Sequence, residues 1–170
     1  MKVFAVSGLH STGKTTVVEH LVREFASRGL KVGTIKDIHY EGFTIDKEGT
    51  NTWRHRQAGA SVVAARGLDE TDVIYAGRMR MAELVDLFDV DVLVIEGGHD
   101  EPYPRITCGS NAEEADLRTD GHTFAFSGVM GSTVRSYRGL RAFDCTSEAA
   151  ELADLALVRA LAVDKTGGLK

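Results

Sequence analysis

Cysteine, proline and long apolar runs are all scarce in this 170-residue chain, and each shortage excludes a class of protein. The two cysteines, Cys108 and Cys145, are far apart and fit neither a disulfide framework nor a zinc ribbon. With two prolines and no low-complexity stretch, nothing indicates a linker, so we expect a single domain over residues 1–170. No apolar run approaches the ~18 residues of a membrane span, and no signal-peptide pattern is present. We therefore expect a cytoplasmic protein with no membrane partner.

Positive charge is also in short supply. The chain has 25 acidic and 20 basic residues, which gives a net charge of -5. Proteins that bind the nucleic-acid backbone usually carry a basic face, so we expect no nucleic-acid partner. A hydrophobic fraction of 43% and a charged fraction of 26% are typical of a globular protein.

Near its start the chain contains a complete phosphate-loop (Walker A) pattern. The sequence GLHSTGKT, from Gly8 to Thr15, matches G-x-x-x-x-G-K-[ST] in full. A β-branched apolar run over residues 2–7 precedes it, and apolar residues recur at helical spacing over residues 14–28. With a second strand predicted over residues 31–35, the first part of the chain forms a βαβ unit. This is the structural context that a phosphate loop requires.

The residue types in this loop suit a purine nucleoside triphosphate with Mg²⁺. Gly8 and Gly13 allow the backbone to wrap closely around phosphates, and the following helix directs its positive end at the same anion. Lys14 can reach the β and γ phosphates, and the hydroxyl of Thr15 can bind magnesium. The predicted nucleotide-binding residues are Gly8, His10, Ser11, Thr12, Gly13, Lys14, Thr15 and Thr16.

Acidic residues follow two of the predicted strands. Glu96 comes directly after the most apolar strand, over residues 90–95, and Asp37 follows the second strand. In a parallel sheet both lie at the carboxyl edge, beside the phosphate loop. We therefore predict Thr15 and Glu96 as magnesium ligands, and Lys14, Asp37 and Glu96 as catalytic residues. The alternative for Glu96 is a solvated strand end.

The remaining pattern predicts an α/β protein with a three-layer P-loop NTPase fold and a mostly parallel central sheet. Strands alternate with helices along the chain, as this fold class requires. Further strands are predicted at residues 43–45, 61–65, 73–75, 105–108 and 123–126, and helices at residues 51–58, 79–88 and after an N-cap at Ser147.

Two basic clusters admit two interpretations each. Residues 52–60 carry two arginines and a histidine beside the single tryptophan, which suits anion binding or an ordinary amphipathic helix. Arg135, Arg138 and Arg141 suit the lid of a small-molecule kinase or a solvated basic loop. No N-K-x-D motif is present, so the preferred base cannot be derived from the residues.

The chain resembles the molybdopterin-guanine dinucleotide biosynthesis adapter proteins, the MobB family. The resemblance covers nearly the whole length and is most specific in the block between residues 45 and 60. The segments that carry it are Gly13-Lys14-Thr15-Thr16, Val32-Gly33-Thr34-Ile35-Lys36, Ile45-Asp46, Gly49, Arg54-His55, Ala58-Gly59-Ala60, Glu96-Gly97 and Phe143-Asp144.

The resemblance implies a homodimer that binds GTP with Mg²⁺ and is at most a weak GTPase. It also implies work beside the molybdopterin guanylyltransferase and other enzymes of molybdenum cofactor biosynthesis, with Glu96 as the carboxylate on the magnesium side. The chain departs from the family at Asp37, where histidine is common, and at Gly98-His99, where Phe-Lys is common. The competing hypotheses are a small-molecule kinase that uses ATP and an interaction module with an inactive loop.

Overall fold

The apolar strands predicted along the chain pair in one mostly parallel sheet in the computed structural model, which describes residues 1–164. Contacts within the chain define one unit of residues 1–37 and 86–164 and a second unit of residues 38–85. The single domain over residues 1–170 stays a prediction, because a unit defined by contacts need not fold alone.

The secondary-structure elements alternate between strand and helix over most of the chain. In chain order they are β1 (Lys2–Gly8), α1 (Lys14–Ser27), β2 (Val32–Lys36), α2 (Asn51–Gln57), β3 (Val62–Arg66), β4 (Thr71–Tyr75), α3 (Met81–Asp86), β5 (Val92–Glu96), β6 (Arg105–Cys108), α4 (Ala112–Asp116), β7 (Thr123–Ser127), a 3-10 helix (Val129–Ser132), β8 (Ser136–Tyr137), β9 (Leu140–Arg141), α5 (Ala149–Arg159) and β10 (Leu161–Ala162).

The sheet of the first unit has the strand order β2-β5-β1-β6-β7, and every neighbouring pair in this order is parallel. The short strand β10 adds an antiparallel pair at the start of β1, where Lys2 faces Ala162. Because β1 lies between β5 and β6, the loop that follows Gly8 begins where three strands end at the same edge. In open parallel sheets this edge is where ligands bind.

One face of the sheet is covered by α1 and α5. The apolar stripe of α1 is fully buried at Val17, Leu21 and Phe25, and Leu152 of α5 is buried in the same cluster. Phe4 of β1 packs edge-on against Phe25, with ring centroids 6.2 Å apart. Burying side chains of this size stabilises a fold by about 1.5–3 kcal/mol each, so this face supplies much of the core energy.

The opposite face carries a smaller cluster around β7. Phe126 packs there with Ala115 of α4, Met130 and Ala142, and all four are buried. Neighbouring residues of a strand point to opposite faces of the sheet. Accordingly, Ala125 of β7 packs in the first cluster, and the next residue, Phe126, packs in the cluster on the opposite face. Helices therefore lie on both faces, and the predicted α/β fold is confirmed.

The second unit contains α2 and the antiparallel hairpin of β3 and β4. Thr50 caps α2, since its side chain accepts a hydrogen bond from the amide of Trp53. In the hairpin Val63 is buried, whereas Val62, Val73 and Tyr75 on the other face are 47%, 51% and 38% exposed. The hairpin forms a two-stranded sheet of its own, so it presents an apolar face to solvent.

Three local predictions were wrong. Residues 43–45 form no strand, because the amide of Asp46 bonds the hydroxyl of Thr44 at 3.1 Å, a local turn that competes with a sheet ladder. The helix predicted over residues 79–88 is shortened to α3, with Met81 and Val85 buried. Ser147 does not cap α5: Glu148 occupies that position, and no side chain of the described residues caps it by a hydrogen bond.

Candidate functional site

The predicted phosphate loop connects β1 to α1 and depends on its glycines. Gly8 ends β1 with φ +153, and a Cβ there would lie 2.4 Å from the carbonyl oxygen of Cys108. Gly13 precedes α1 in the left-handed region, with φ 87 and ψ 13. Ser11 also has positive φ, at 60°, which is uncommon for a residue with a side chain. The backbone therefore curls tightly where the pattern predicts phosphate contact.

The end of β7 forms one wall of this loop. The amide of Val129 donates to the carbonyl oxygen of Thr12 at 3.2 Å. A Cβ on Gly128, which has φ +79, would lie 2.1 Å from that same oxygen. Sequence reasoning did not identify Gly128. The signal was a glycine two residues after the predicted strand over residues 123–126, at the carboxyl edge of the sheet.

Positive charge dominates the interior of the loop. Lys14 directs its ammonium across the loop and donates to the carbonyl oxygen of Leu9. The buried hydroxyl of Thr12 donates to the same carbonyl at 3.0 Å and holds the loop in its curl. Within the described residues, the first turn of α1 carries no acidic side chain. The helix dipole and the lysine would therefore both attract an anion placed in the loop.

Glu96 faces the loop from the end of β5. Its Oε1 accepts a hydrogen bond from the hydroxyl of Thr15 at 2.9 Å and another from the ammonium of Lys36 at 3.0 Å. The carboxylate side chain is 12% exposed. Lys36 was not predicted as a site residue, although parallel pairing of β2 with β5 sets it directly opposite Glu96. The two predicted magnesium ligands, Thr15 and Glu96, thus lie side by side.

Asp37 follows Lys36 and lies against the turn after Glu96. Its amide donates to the carbonyl oxygen of Glu96 at 2.9 Å. A Cβ on Gly97, which has φ +104, would lie 3.1 Å from Asp37. The close approach needs a glycine at position 97. Asp37 does not line the cavity of the loop among the described residues, so its catalytic role stays a prediction.

The cavity enclosed by these residues has a volume of about 370 Å³, within the range of small-molecule sites. Seven of the eight predicted nucleotide-binding residues line it, and Gly8 is the one that does not. The lining residues are His10, Ser11, Thr12, Gly13, Lys14, Thr15, Thr16, Lys36 and Glu96.

A buried arginine holds the segment that follows Glu96. Arg105 of β6 is 1% exposed and donates to the carbonyl oxygens of His99 and Glu101. Its Nε lies 3.6 Å from a carboxylate oxygen of Asp120. A buried charge is stable only when it is paired and hydrogen-bonded, so Arg105 ties the turn after Glu96 to the core.

The three arginines weighed as a kinase lid are held in ion pairs instead. Arg138 lies 2.7 Å from Asp116, and Arg135 and Arg141 both pair with Glu148. The hydrogen bond from Arg138 holds the pKa of Asp116 below its usual range against the opposing effect of desolvation. This network fastens the hairpin of β8 and β9, and it gives no support to a phosphate lid.

The two cysteines are buried free thiols. Burial raises the pKa of the Cys108 thiol, with the charge of Lys14 opposing the rise, so the group next to the loop is a poor nucleophile.

No helix in the described part of the chain is long and apolar enough to cross a lipid bilayer.

The fold and the loop geometry define a P-loop α/β protein, since a phosphate loop at the end of a central parallel strand opens a helix beside a carboxylate. Comparison with known proteins then identifies the family. The model of the family "Molybdopterin guanine dinucleotide synthesis protein B" (MobB) matches residues 3–126. The chain belongs to the MobB family.

Individual relatives agree with this assignment. The chain is 32% identical over 110 residues to a molybdopterin-guanine dinucleotide biosynthesis adapter protein of Haemophilus influenzae, and the aligned region covers 61% of each chain. It is 29% identical over 118 residues to a probable adapter protein of the same name from Bacillus subtilis, over 67% of this chain and 68% of that one. The matched region thus spans about three fifths to two thirds of these relatives.

Solved structures extend the likeness over almost the full chain. The crystal structure of Bacillus subtilis MobB superposes with a TM-score of 0.78 at 25% identity, covering 95% of this chain and 99% of that one. A MobB homologue from Bacillus stearothermophilus shares the fold with a TM-score of 0.68 at 20% identity.

Proposed function

We propose that this chain is a GTP-binding adapter in the biosynthesis of molybdopterin guanine dinucleotide, with weak Mg²⁺-dependent GTPase activity. The observation that carries the proposal is the convergence of Lys14, Thr15 and Glu96 on one cavity of about 370 Å³. Membership of the MobB family supports the pathway, because the relatives are named as adapter proteins of that biosynthesis.

The loop supplies the binding energy for the triphosphate. Backbone N–H groups around Gly13 and the N-terminus of α1 would hold the phosphate oxygens. Lys14 would exchange its contact with the carbonyl of Leu9 for the β and γ phosphates. The close packing of Gly128 on Thr12 keeps this part of the loop in place before a ligand arrives.

The residues beside the loop fit a magnesium ion. A threonine hydroxyl and a carboxylate are hard oxygen donors, and those of Thr15 and Glu96 are 2.9 Å apart. When bound, Mg²⁺ would neutralise charge on the phosphates. Glu96 would hold it, and Lys36 would keep the carboxylate in position.

Slow hydrolysis fits the composition of the cavity. Among the described residues that line it there is no arginine, and Lys14 and Lys36 are its cations. Fast GTPases stabilise the transition state with an arginine, which raises kcat by about 10³–10⁵-fold. A site without one can hold GTP for delivery to a partner enzyme.

We also propose that the protein is a homodimer. The exposed apolar surface of the hairpin, with Val62 47% and Leu68 fully exposed, supports an interface with another copy.

A coupled assay with the molybdopterin guanylyltransferase tests the adapter function. At limiting GTP, adding this protein should raise the rate of dinucleotide formation, and the Lys14→Ala protein should not. Lys31→Ala is the matched control, since Lys31 is an exposed lysine paired with Asp89 and does not line the cavity of the loop. Equal stimulation by wild type and Lys14→Ala would contradict GTP delivery.

A further inference from the structure

One carboxylate oxygen of Glu96 serves two donors from different parts of the chain. Oε1 accepts a hydrogen bond from the hydroxyl of Thr15 at 2.9 Å and another from the ammonium of Lys36 at 3.0 Å. A carboxylate oxygen has two lone pairs, so these donors occupy both. A metal ion that binds this oxygen therefore has to take the place of one donor and lie close to the other.

The oxygens of Thr15 and Glu96 have the separation that magnesium requires. Mg²⁺ prefers an octahedral shell with bonds of about 2.0–2.1 Å, which sets adjacent ligand oxygens roughly 2.8–3.0 Å apart. The hydroxyl oxygen of Thr15 and Oε1 of Glu96 are 2.9 Å apart. These two ligands need no rearrangement to receive a metal, so the remaining obstacle is the ammonium of Lys36.

Lys36 places a positive charge next to the position of the metal. Its ammonium lies 3.0 Å from Oε1 of Glu96, and Mg²⁺ binds a carboxylate oxygen at about 2.1 Å. Two cations on this one oxygen would lie within roughly 5 Å of each other, whatever the angle between them. A divalent and a monovalent cation repel strongly at that distance, even with partial screening by solvent. Lys36 therefore lowers the affinity for a metal while it stays on Glu96.

Of the two partners in this ion pair, Lys36 is the one that can move. Its side chain is 60% exposed, whereas that of Glu96 is 12% exposed. Exposed ion pairs contribute little to stability, because solvent screens them and holding a long side chain costs entropy. The backbone of Lys36 is fixed in β2, directly opposite Glu96, and its flexible stem lets the ammonium move around that point. Opening the pair therefore costs the protein little.

The cavity of the phosphate loop is within reach of the displaced ammonium, because Lys36 lines it together with Lys14. A bound triphosphate carries more negative charge than one Mg²⁺ ion and one lysine balance. The phosphates would thus attract the ammonium of Lys36 at the same time as the metal takes its place on Glu96. Without phosphates, the ammonium has no comparable anion in this cavity to leave for.

We infer that Lys36 makes the binding of a divalent cation depend on the nucleotide: its ammonium holds the place of the metal on Glu96 and yields it when phosphates fill the loop. Coupling between two ligands is reciprocal, so the same lysine also sets how strongly the metal tightens nucleotide binding. This role rests on the proposed function, because the phosphates that draw Lys36 away are those of GTP.

The first test is a titration of the full chain with Mn²⁺ and no nucleotide, in which electron paramagnetic resonance follows the free ion. Mn²⁺ suits the same oxygen ligands as Mg²⁺. Lys36→Met removes the charge from a side chain of similar length, so we expect it to bind Mn²⁺ about tenfold more tightly than wild type. Lys36→Arg keeps the charge and should bind Mn²⁺ no more tightly than wild type. Lys31→Met is the matched control, since it removes an exposed lysine paired with Asp89 just before β2.

The second test measures GTP binding to the same proteins by calorimetry, with and without Mg²⁺. The quantity of interest is the factor by which Mg²⁺ tightens GTP binding. In Lys36→Met this factor should fall about tenfold, because the metal already binds well without the nucleotide. Lys36→Arg and Lys31→Met should keep the factor of the wild type.

Two results would overturn the inference while GTP binding, and with it the proposed function, is kept. One is an equal Mn²⁺ affinity in wild type and Lys36→Met, or an equal gain in Lys36→Arg, since the charge on Glu96 would then have no effect on the metal. The other is a gain in Mn²⁺ affinity with an unchanged magnesium factor for GTP, since Lys36 would then stay on Glu96 beside the nucleotide. An absence of GTP binding to the wild type would instead remove both.

Discussion

The two units of this chain differ in how far they bury their large apolar side chains. In residues 1–37 and 86–164, large side chains such as Phe4, Phe25 and Phe126 are completely buried. In residues 38–85, Ile45 is 79% exposed and Leu68 is fully exposed. The first unit buries a core of large side chains, whereas the second leaves a larger share of its apolar side chains exposed. The phosphate loop belongs to the well-packed unit, which suits a site whose geometry must be held closely.

The largest effect that separates the two units is the removal of a phenylalanine. Phe25→Ala should lower the free energy of unfolding by about 3–5 kcal/mol, because it leaves a cavity in a close-packed core. Phe43→Ala should lower it by less than about 1 kcal/mol, because that ring is half exposed. Urea unfolding of both variants, followed by far-UV circular dichroism, measures the difference, and equal losses would contradict the contrast.

The same experiment tests the predicted single domain. The only tryptophan, Trp53, lies in α2 of the second unit, so its fluorescence reports on that unit. Coincident fluorescence and circular dichroism transitions would support one cooperative domain over the chain. A separate, earlier fluorescence transition would show that residues 38–85 unfold on their own.

The next largest effect is expected at the phosphate loop. Lys14→Ala should weaken binding of GTP by about 100-fold or more, near 3 kcal/mol, while the fold is kept. The side chain is partly exposed and donates to a single loop carbonyl in the protein, so its loss removes charge without opening a core cavity. Equilibrium dialysis with labelled GTP measures this, and affinity equal to wild type would end the assignment of the loop.

A smaller effect is expected from Glu96→Gln. The change keeps the shape and the contact with Thr15 but removes the charge that magnesium requires. We expect the magnesium dependence of GTP binding to fall about tenfold, or 1.4 kcal/mol. Binding in the absence of magnesium should change little. If neither binding nor hydrolysis responds, Glu96 is a solvated strand end.

The smallest effect concerns pH in the second unit. Burial raises the pKa of Asp46, but hydrogen bonds from Thr52, Thr50 and Arg56 outweigh this and leave it below its usual value. A carboxyl whose pKa is lowered by folding stabilises the folded state at pH values above its pKa in the unfolded chain. This stabilisation is lost as the pH falls through its pKa in the folded protein. The loss should therefore appear below about pH 4. Trp53 fluorescence should show it in wild type, and Asp46→Asn should abolish this part of the pH dependence.

Local features of the fold were predictable from the sequence. The strand before the predicted phosphate loop and the helix after it follow from apolar periodicity, and the structure confirms both elements. The strand over residues 105–108 was also predicted with its correct bounds. These features depend on neighbours in sequence, which is why a pattern can find them.

Features set by long-range contacts were not predictable. The ion pair of Lys36 with Glu96 depends on the register of two strands 60 residues apart in sequence. The packing of Gly128 against the loop and the burial of Arg105 in β6 depend on the strand order of the sheet. A cavity of the second unit arises from segments spread over residues 38–78. No short pattern encodes such arrangements.

The most direct test of the central claim is a calorimetric titration of the purified protein with GTP and with ATP, each with and without Mg²⁺. The account predicts magnesium-dependent binding of GTP, with ATP weaker by about tenfold, or 1.4 kcal/mol. Equal or tighter binding of ATP would contradict a GTP-binding adapter and would favour a kinase with an acceptor still to be found.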